Sequence, residues 1–106
     1  MQIEYNHIQT VQQVEELNKK LASQDGPIAV DIETTGLEFR KDRILAVTIA
    51  TTPTCAYYLP SSLLSSLSLS SSLCVFHNAK FDLKFLRLEG IQIDNWRDTL
   101  IYAHLS

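Results

Sequence analysis

Apolar positions along the chain change period several times, and each change marks an element. Val11, Val14, Leu17 and Leu21 recur at helical spacing, so one face of this segment is apolar and the rest polar. Thr10 and Gln13 stand at the spacing of a capping box and Asp25-Gly26-Pro27 breaks the pattern, which predicts a leading amphipathic helix within residues 1–26. From Ile28 the period falls to two. Ile28 to Glu33 reads as a strand closed by Thr34-Thr35-Gly36. Arg43 to Ala50 reads as a second strand, apolar on both faces and hence interior, and Cys55 to Leu59 as a third, reached through the Thr51-Thr52-Pro53-Thr54 turn.

Past Pro60, eight of the twelve residues from Ser61 to Ser72 are Ser and the other four are Leu. That composition suggests a linker. Leu63, Leu64 and Leu67 nevertheless recur at helical spacing and fit a short helix on the sheet equally well. Leu73 to His77 reads as a fourth strand, Asn78 is placed to cap a helix running to Glu89, and Gly90 takes the C′ position. Ile91 to Trp96 is expected to return to the sheet, and Asp98 to open a last helix as its N-cap. That helix has barely two turns before Ser106 and no Gly, Asn or Pro to end it, as in a chain cut short.

Composition narrows the classes of function. With 106 residues, 45% hydrophobic and 20% charged, the chain has the makeup of one globular domain. A net charge of -3 argues against holding nucleic acid through a broad basic surface. No stretch approaches the roughly 18–20 apolar residues of a membrane-spanning helix, and the start Met1-Gln2-Ile3-Glu4 lacks the basic and apolar regions of a secretory signal. The cytoplasm is the expected compartment. Cys55 and Cys74 stand without a Cys-x-x-Cys or a nearby His, and both read as reduced core residues.

Three carboxylates carry the chemistry. On the strand from Ile28, a period of two puts Ile28, Val30 and Ile32 on one face and Asp31 and Glu33 on the other, with their Cα atoms roughly 6.5–7 Å apart. Strands disfavour Asp, and two desolvated like charges repel, so a divalent cation of the Mg²⁺ or Mn²⁺ kind between them would stabilise the pair. The alternative is that Glu33 ends the strand in water. On the following helix Lys80, Lys84 and Arg87 form a polar stripe, while Asp82 and Leu86 turn inward. An acid in a first helical turn is also favoured by the macrodipole alone. Taken with Asp31 and Glu33, however, it gives the set of acids that a two-metal phosphodiesterase uses.

Asp31-Ile32-Glu33-Thr34-Thr35-Gly36-Leu37 resembles the first motif of the DEDD superfamily of 3′→5′ exonucleases. His77-Asn78-Ala79-Lys80-Phe81-Asp82-Leu83-Lys84-Phe85-Leu86 resembles the second, with its N-x-x-x-D spacing intact, and Asp98-Thr99-Leu100 looks like the Asp-Thr start of the helix that follows. The version most resembled is the proofreading domain of family A DNA polymerases, the DNA polymerase I type, with its free-standing relatives. The likeness runs from about Pro27 to Ser106.

This resemblance implies an α/β fold, a ribonuclease H-like mixed sheet with flanking helices. The chain would hold the N-terminal part of it as a single partial domain over residues 1–106, with the motifs in 27–106. It further implies hydrolysis of phosphodiester bonds from 3′ ends, in DNA replication and repair, with two divalent cations, Mg²⁺ or Mn²⁺. Asp31 would bridge both ions, Glu33 would bind the one that activates water, and Asp82 would hold the other, partly through water. Thr34 and Leu37 match positions that meet the terminal nucleotide, Leu37 as a wedge against its base. Asn78 and Phe81 match positions that touch the incoming strand, although a helix cap and a core aromatic explain them equally well. His77 reads as a plain hydrogen-bonded residue.

The implied partner is the 3′ end of single-stranded DNA, with RNA possible, and either the rest of the domain or a polymerase domain would complete the parent protein. One motif is missing. The family's third, a Tyr or His four or so residues before a final Asp, has no counterpart after Asp82, since Tyr102 and His104 have no acid behind them. The 106-residue chain alone is therefore expected to be inactive. Two other readings stand beside proofreading: an RNA exonuclease of the ribonuclease D type, which usually has Phe where Thr34 stands, and an inactive module that binds nucleic acid or a partner.

Overall fold

The structure, a computed structural model, describes residues 2–100. Among these residues six strands form one sheet: β1 (Glu4–His7), β2 (Ile28–Thr34), β3 (Ile44–Thr52), β4 (Cys55–Pro60), β5 (Leu73–Phe76) and β6 (Asn95–Asp98). Their order is β1-β4-β3-β2-β5-β6. β3 is antiparallel to both its neighbours, β2 is parallel to β5 and β5 to β6, and β1 is parallel to β4. Two α-helices, α1 (Val11–Ser23) and α2 (Ala79–Leu88), and a 3₁₀ helix (Ser61–Ser66) complete the fold. This is the mixed α/β sheet with helices that the sequence implies.

One continuous core joins a single face of the sheet to the helices. Val30, Val47, Ile49, Leu59 and Phe76 meet Val14, Leu17 and Leu21 of α1 and Leu83 and Leu86 of α2. Ala29, Asp31 and Glu33 point to the opposite face and are exposed. α1 begins with the expected capping box. The Thr10 hydroxyl accepts from the Gln13 amide at 3.2 Å, and the Gln13 side-chain oxygen accepts from the Thr10 amide at 3.2 Å, so two end donors are satisfied. Val11, expected on the packed face, is instead 48% exposed, because the first turn lies beyond the apolar surface that Val14 onward covers.

The Ser/Leu stretch is not a linker. Leu64, Leu67 and Leu69 are buried, and the Asn18 amide of α1 donates to Ser66 O at 2.8 Å while its oxygen accepts from Ser68 N at 2.9 Å. These bonds fasten the segment to α1 and let its leucines fill the core. β1 was not anticipated. It is an edge strand of exposed residues, with Tyr5 65% exposed, so no burial alternation betrays it. The segment after α2 also differs from expectation: Ile91 and Ile93 are buried in a connection, and β6 starts only at Asn95. Cys74 is buried in the core and its thiol is pushed up to about 11 by desolvation, whereas Cys55 is only half-buried.

Candidate active site

The site forms where chain direction diverges. β2 feeds β3 on one side and lies beside β5 on the other, so the carboxyl ends of β2 and β5 border an open crevice of the kind in which α/β sheets bind ligands. Asp31 and Glu33 lie on the exposed face of β2, and α2 starts just after β5 and brings in Asp82.

Asp82 is 4% exposed, and its Oδ2 is buried without a hydrogen-bond partner. Desolvation, with the Asp31 and Asp98 carboxylates nearby, pushes its pKa up to about 7. A buried oxygen with no donor beside a second carboxylate is what a hard cation would neutralise, so the donor set fits Mg²⁺ or Mn²⁺. Asp31 spends one oxygen on the Ile32 amide at 3.0 Å. Glu33 stays exposed at the strand end, and the described residues hold no group of three His, Cys, Asp or Glu side chains able to grip one ion. Asp31 and Asp82 approach each other, but the three acids do not close into a cluster.

The loop after β2 is laced by Asp42, which gave no signal in the sequence. Its carboxylate accepts from the Thr35 hydroxyl at 2.9 Å and the Glu38 amide at 3.0 Å, and lies so close to Gly36 that a Cβ there would come within 2.5 Å of it. Thr34 uses its hydroxyl on Gly36 O at 2.7 Å. The loop thereby presents Leu37, 86% exposed. Leu37 faces a cavity of about 260 Å³ that Phe39, Asn78 and Phe81 also line. Phe81 meets Phe85 in a tilted ring contact, centroids 4.9 Å apart, and packs partly against the core.

Asn78 occupies the N-cap position of α2, but its side chain makes no cap bond and its backbone is left-handed, with φ 79°. The cap comes from Asp98. One of its oxygens accepts from Asn78 N at 3.1 Å and Leu100 N at 2.9 Å, and the other from Ala79 N at 2.9 Å. Although desolvation works against it, these amides and the His77 ring hold the Asp98 carboxyl below the usual carboxylate range. Asp98 thus caps α2 and also accepts from the Leu100 amide, while the last helix it is expected to open falls mostly on residues 101–106, outside the described residues. His77 is hydrogen-bonded to the Thr99 hydroxyl at 2.8 Å, as expected. Tyr102 and His104 lie outside the described residues.

Residues 5–105 match the family model described as 3′-5′ exonuclease. The chain belongs to this 3′-5′ exonuclease family. Solved exonuclease structures share the fold. The catalytic core of RRP6 from Trypanosoma brucei (mutant C496S) superposes with a TM-score of 0.73 at 25% identity over 90% of this chain and 29% of its own. NrnC of Brucella melitensis with bound Mg²⁺ gives 0.68 at 22% identity over 99% of this chain and 53% of its own. The Trypanosoma brucei RNase D in complex with RNA U12 gives 0.69 at 17% identity over 92% and 38%. The chain spans about half or less of these solved chains. Among curated proteins, none matches it.

Proposed function

We propose that this domain carries the Asp31, Glu33 and Asp82 acids of a 3′→5′ exonuclease site that shortens single-stranded DNA from its 3′ end, in the manner of a proofreading domain. The observation that carries the reading is the buried, unpartnered Oδ2 of Asp82 beside Asp31, within a chain matched to the family over residues 5–105. Asp31 and Asp82 would hold divalent cations, with Glu33 drawn in from the same strand face. Such ions, when bound, supply a hydroxide nucleophile and stabilise the leaving oxygen. The chain's own residues position the substrate: Leu37 wedges against the terminal base, Phe81 and Asn78 guide the strand, and the Asp42-laced loop fixes Leu37.

A second reading, trimming of RNA, is favoured by the likeness to an RNase D bound to RNA U12 and to NrnC bound to pGG. The two separate in one experiment. A longer chain, extended by a Tyr-x-x-x-Asp or His-x-x-x-Asp segment, is incubated with 5′-labelled DNA and RNA of one sequence, with Mg²⁺, Mn²⁺ or EDTA. Stepwise 3′ shortening of DNA, lost with Asp82→Asn and with EDTA, is the expected result. Preference for RNA would move the reading to the ribonuclease D type, and metal-independent shortening would refute it.

A further inference from the structure

A second hollow lies across α2 from the Leu37 cavity. It measures about 630 Å³, and Leu83, Arg87, Trp96 and Asp98 line it together with Asn78, Lys80 and Lys84, three residues that also border the Leu37 cavity. The two hollows therefore flank one ridge, the outward stripe of α2 on which Lys80, Lys84 and Arg87 stand exposed. Each hollow has an apolar floor. On one side Phe39 lies under the Lys84 ammonium at 5.1 Å, and on the other Trp96, 36% exposed, stands beside buried Leu83. Asp98 is an acid in the second hollow, but its charge is taken up by the amides of Asn78, Ala79 and Leu100. Three cations thus stand together on this ridge although the chain is net negative at -3.

A cationic ridge between two aromatic hollows suits an unpaired polynucleotide, which carries phosphates on its backbone and a π face on every base. We infer that the strand leading to the 3′ end crosses α2 with its phosphates over Lys80, Lys84 and Arg87, and that a base upstream of the terminal pair stacks on Trp96. The inference rests on the exonuclease reading and extends it: the substrate must be single-stranded and longer than a dinucleotide to gain this contact.

Trp96 is the single tryptophan of the chain, so its fluorescence reports on the hollow directly. The full chain is titrated, in EDTA to prevent cleavage, with a fluorescein-labelled dinucleotide and octanucleotide of DNA. Binding is followed by fluorophore anisotropy, and Trp96 emission is read with unlabelled copies. The octanucleotide should quench Trp96 and bind about tenfold or more tightly than the dinucleotide, the range that one stacked base supplies. Arg87→Gln and Trp96→Phe should each weaken the octanucleotide severalfold and leave the dinucleotide unchanged, and Arg87→Gln should also flatten the salt dependence. Equal binding of the two oligomers, or an unquenched Trp96 with the octanucleotide bound, overturns the inference and leaves the exonuclease reading standing. If neither oligomer binds and the longer chain shortens no nucleic acid, both fall together.

Discussion

Asp82 is a residue that the fold disfavours in its charged form. Its pKa rises from 3.8 to about 7 on folding, so between those values the native state takes up a proton that the unfolded chain releases. Stability contributed at this position is therefore lost as pH rises from about 4 to about 7. At about 1.4 kcal/mol per pH unit, the penalty is at most about 4 kcal/mol at alkaline pH. Asp82→Asn should raise the melting temperature at pH 8, change it little at pH 4.5, and flatten the profile between. An unchanged pH profile would show that Asp82 is not buried as described. A cation should act in the same direction, since an ion bound only by the native state raises its stability by mass action. Mg²⁺ or Mn²⁺ should raise the wild-type melting temperature at pH 8, and Asp31→Asn should be more stable without metal and lose the response. Equal metal shifts in the two proteins would refute a site at Asp31. The positions of these acids were legible from a period of two on β2 and an inward face on α2. Asp42 was not, nor was the second duty of Asp98 as cap of α2, because the amides they hold gather only when the β2 loop folds back and β6 aligns beside β5.

The ends of α2 show what local sequence can and cannot specify. Gly90 was legible because a helix leaving through the left-handed region favours the residue without a Cβ, and its φ is 81°. Gly90→Ala should cost about 1 kcal/mol, measured by urea unfolding. Asn78 was read as a side-chain cap and is not one: its backbone is left-handed where a side-chain cap has an extended one, and Asp98 supplies the acceptors for Asn78 N and Ala79 N. Two outcomes follow at this position. Asn78→Gly should be neutral or slightly stabilising, since glycine takes φ 79° without strain, while Asn78→Ala should cost about 1 kcal/mol. If Asn78→Gly proves as damaging as Asn78→Ala, the side chain holds the helix after all. At the edges of the sheet legibility fails for a different reason. β1 and β6 are four-residue strands of mostly exposed residues, so hydrogen bonding to one neighbour places them and burial leaves little pattern to read. The interior strands β2, β3 and β4 are longer and carry runs of buried apolar residues, and were found within a residue or two of their ends.

At the scale of the molecule, the described residues cover one face of the sheet and leave the other open. The open face carries exposed Ala29 beside Ala50 and Val75 in a shallow apolar hollow of about 310 Å³, with Asp31 and Glu33 further along β2. Apolar surface of this kind favours packing against further structure, and the carboxylates beside it form no group of three ligating side chains among the described residues. Loss of one metal ligand and of the group that orients the attacking water commonly removes several kcal/mol of transition-state stabilisation, about a thousandfold in rate or more. The 106-residue chain should accordingly show little or no exonuclease activity on single-stranded DNA and a tendency to associate, measured by gel assay and light scattering. Extension through a Tyr-x-x-x-Asp or His-x-x-x-Asp segment should restore metal-dependent cleavage and the monomer together. Robust 3′→5′ degradation by the short chain, abolished by Asp31→Ala, would overturn this and mean that Asp31, Glu33 and Asp82 suffice, since Asp94 lies at the far end of β6 and Asp98 is already committed to the helix amides.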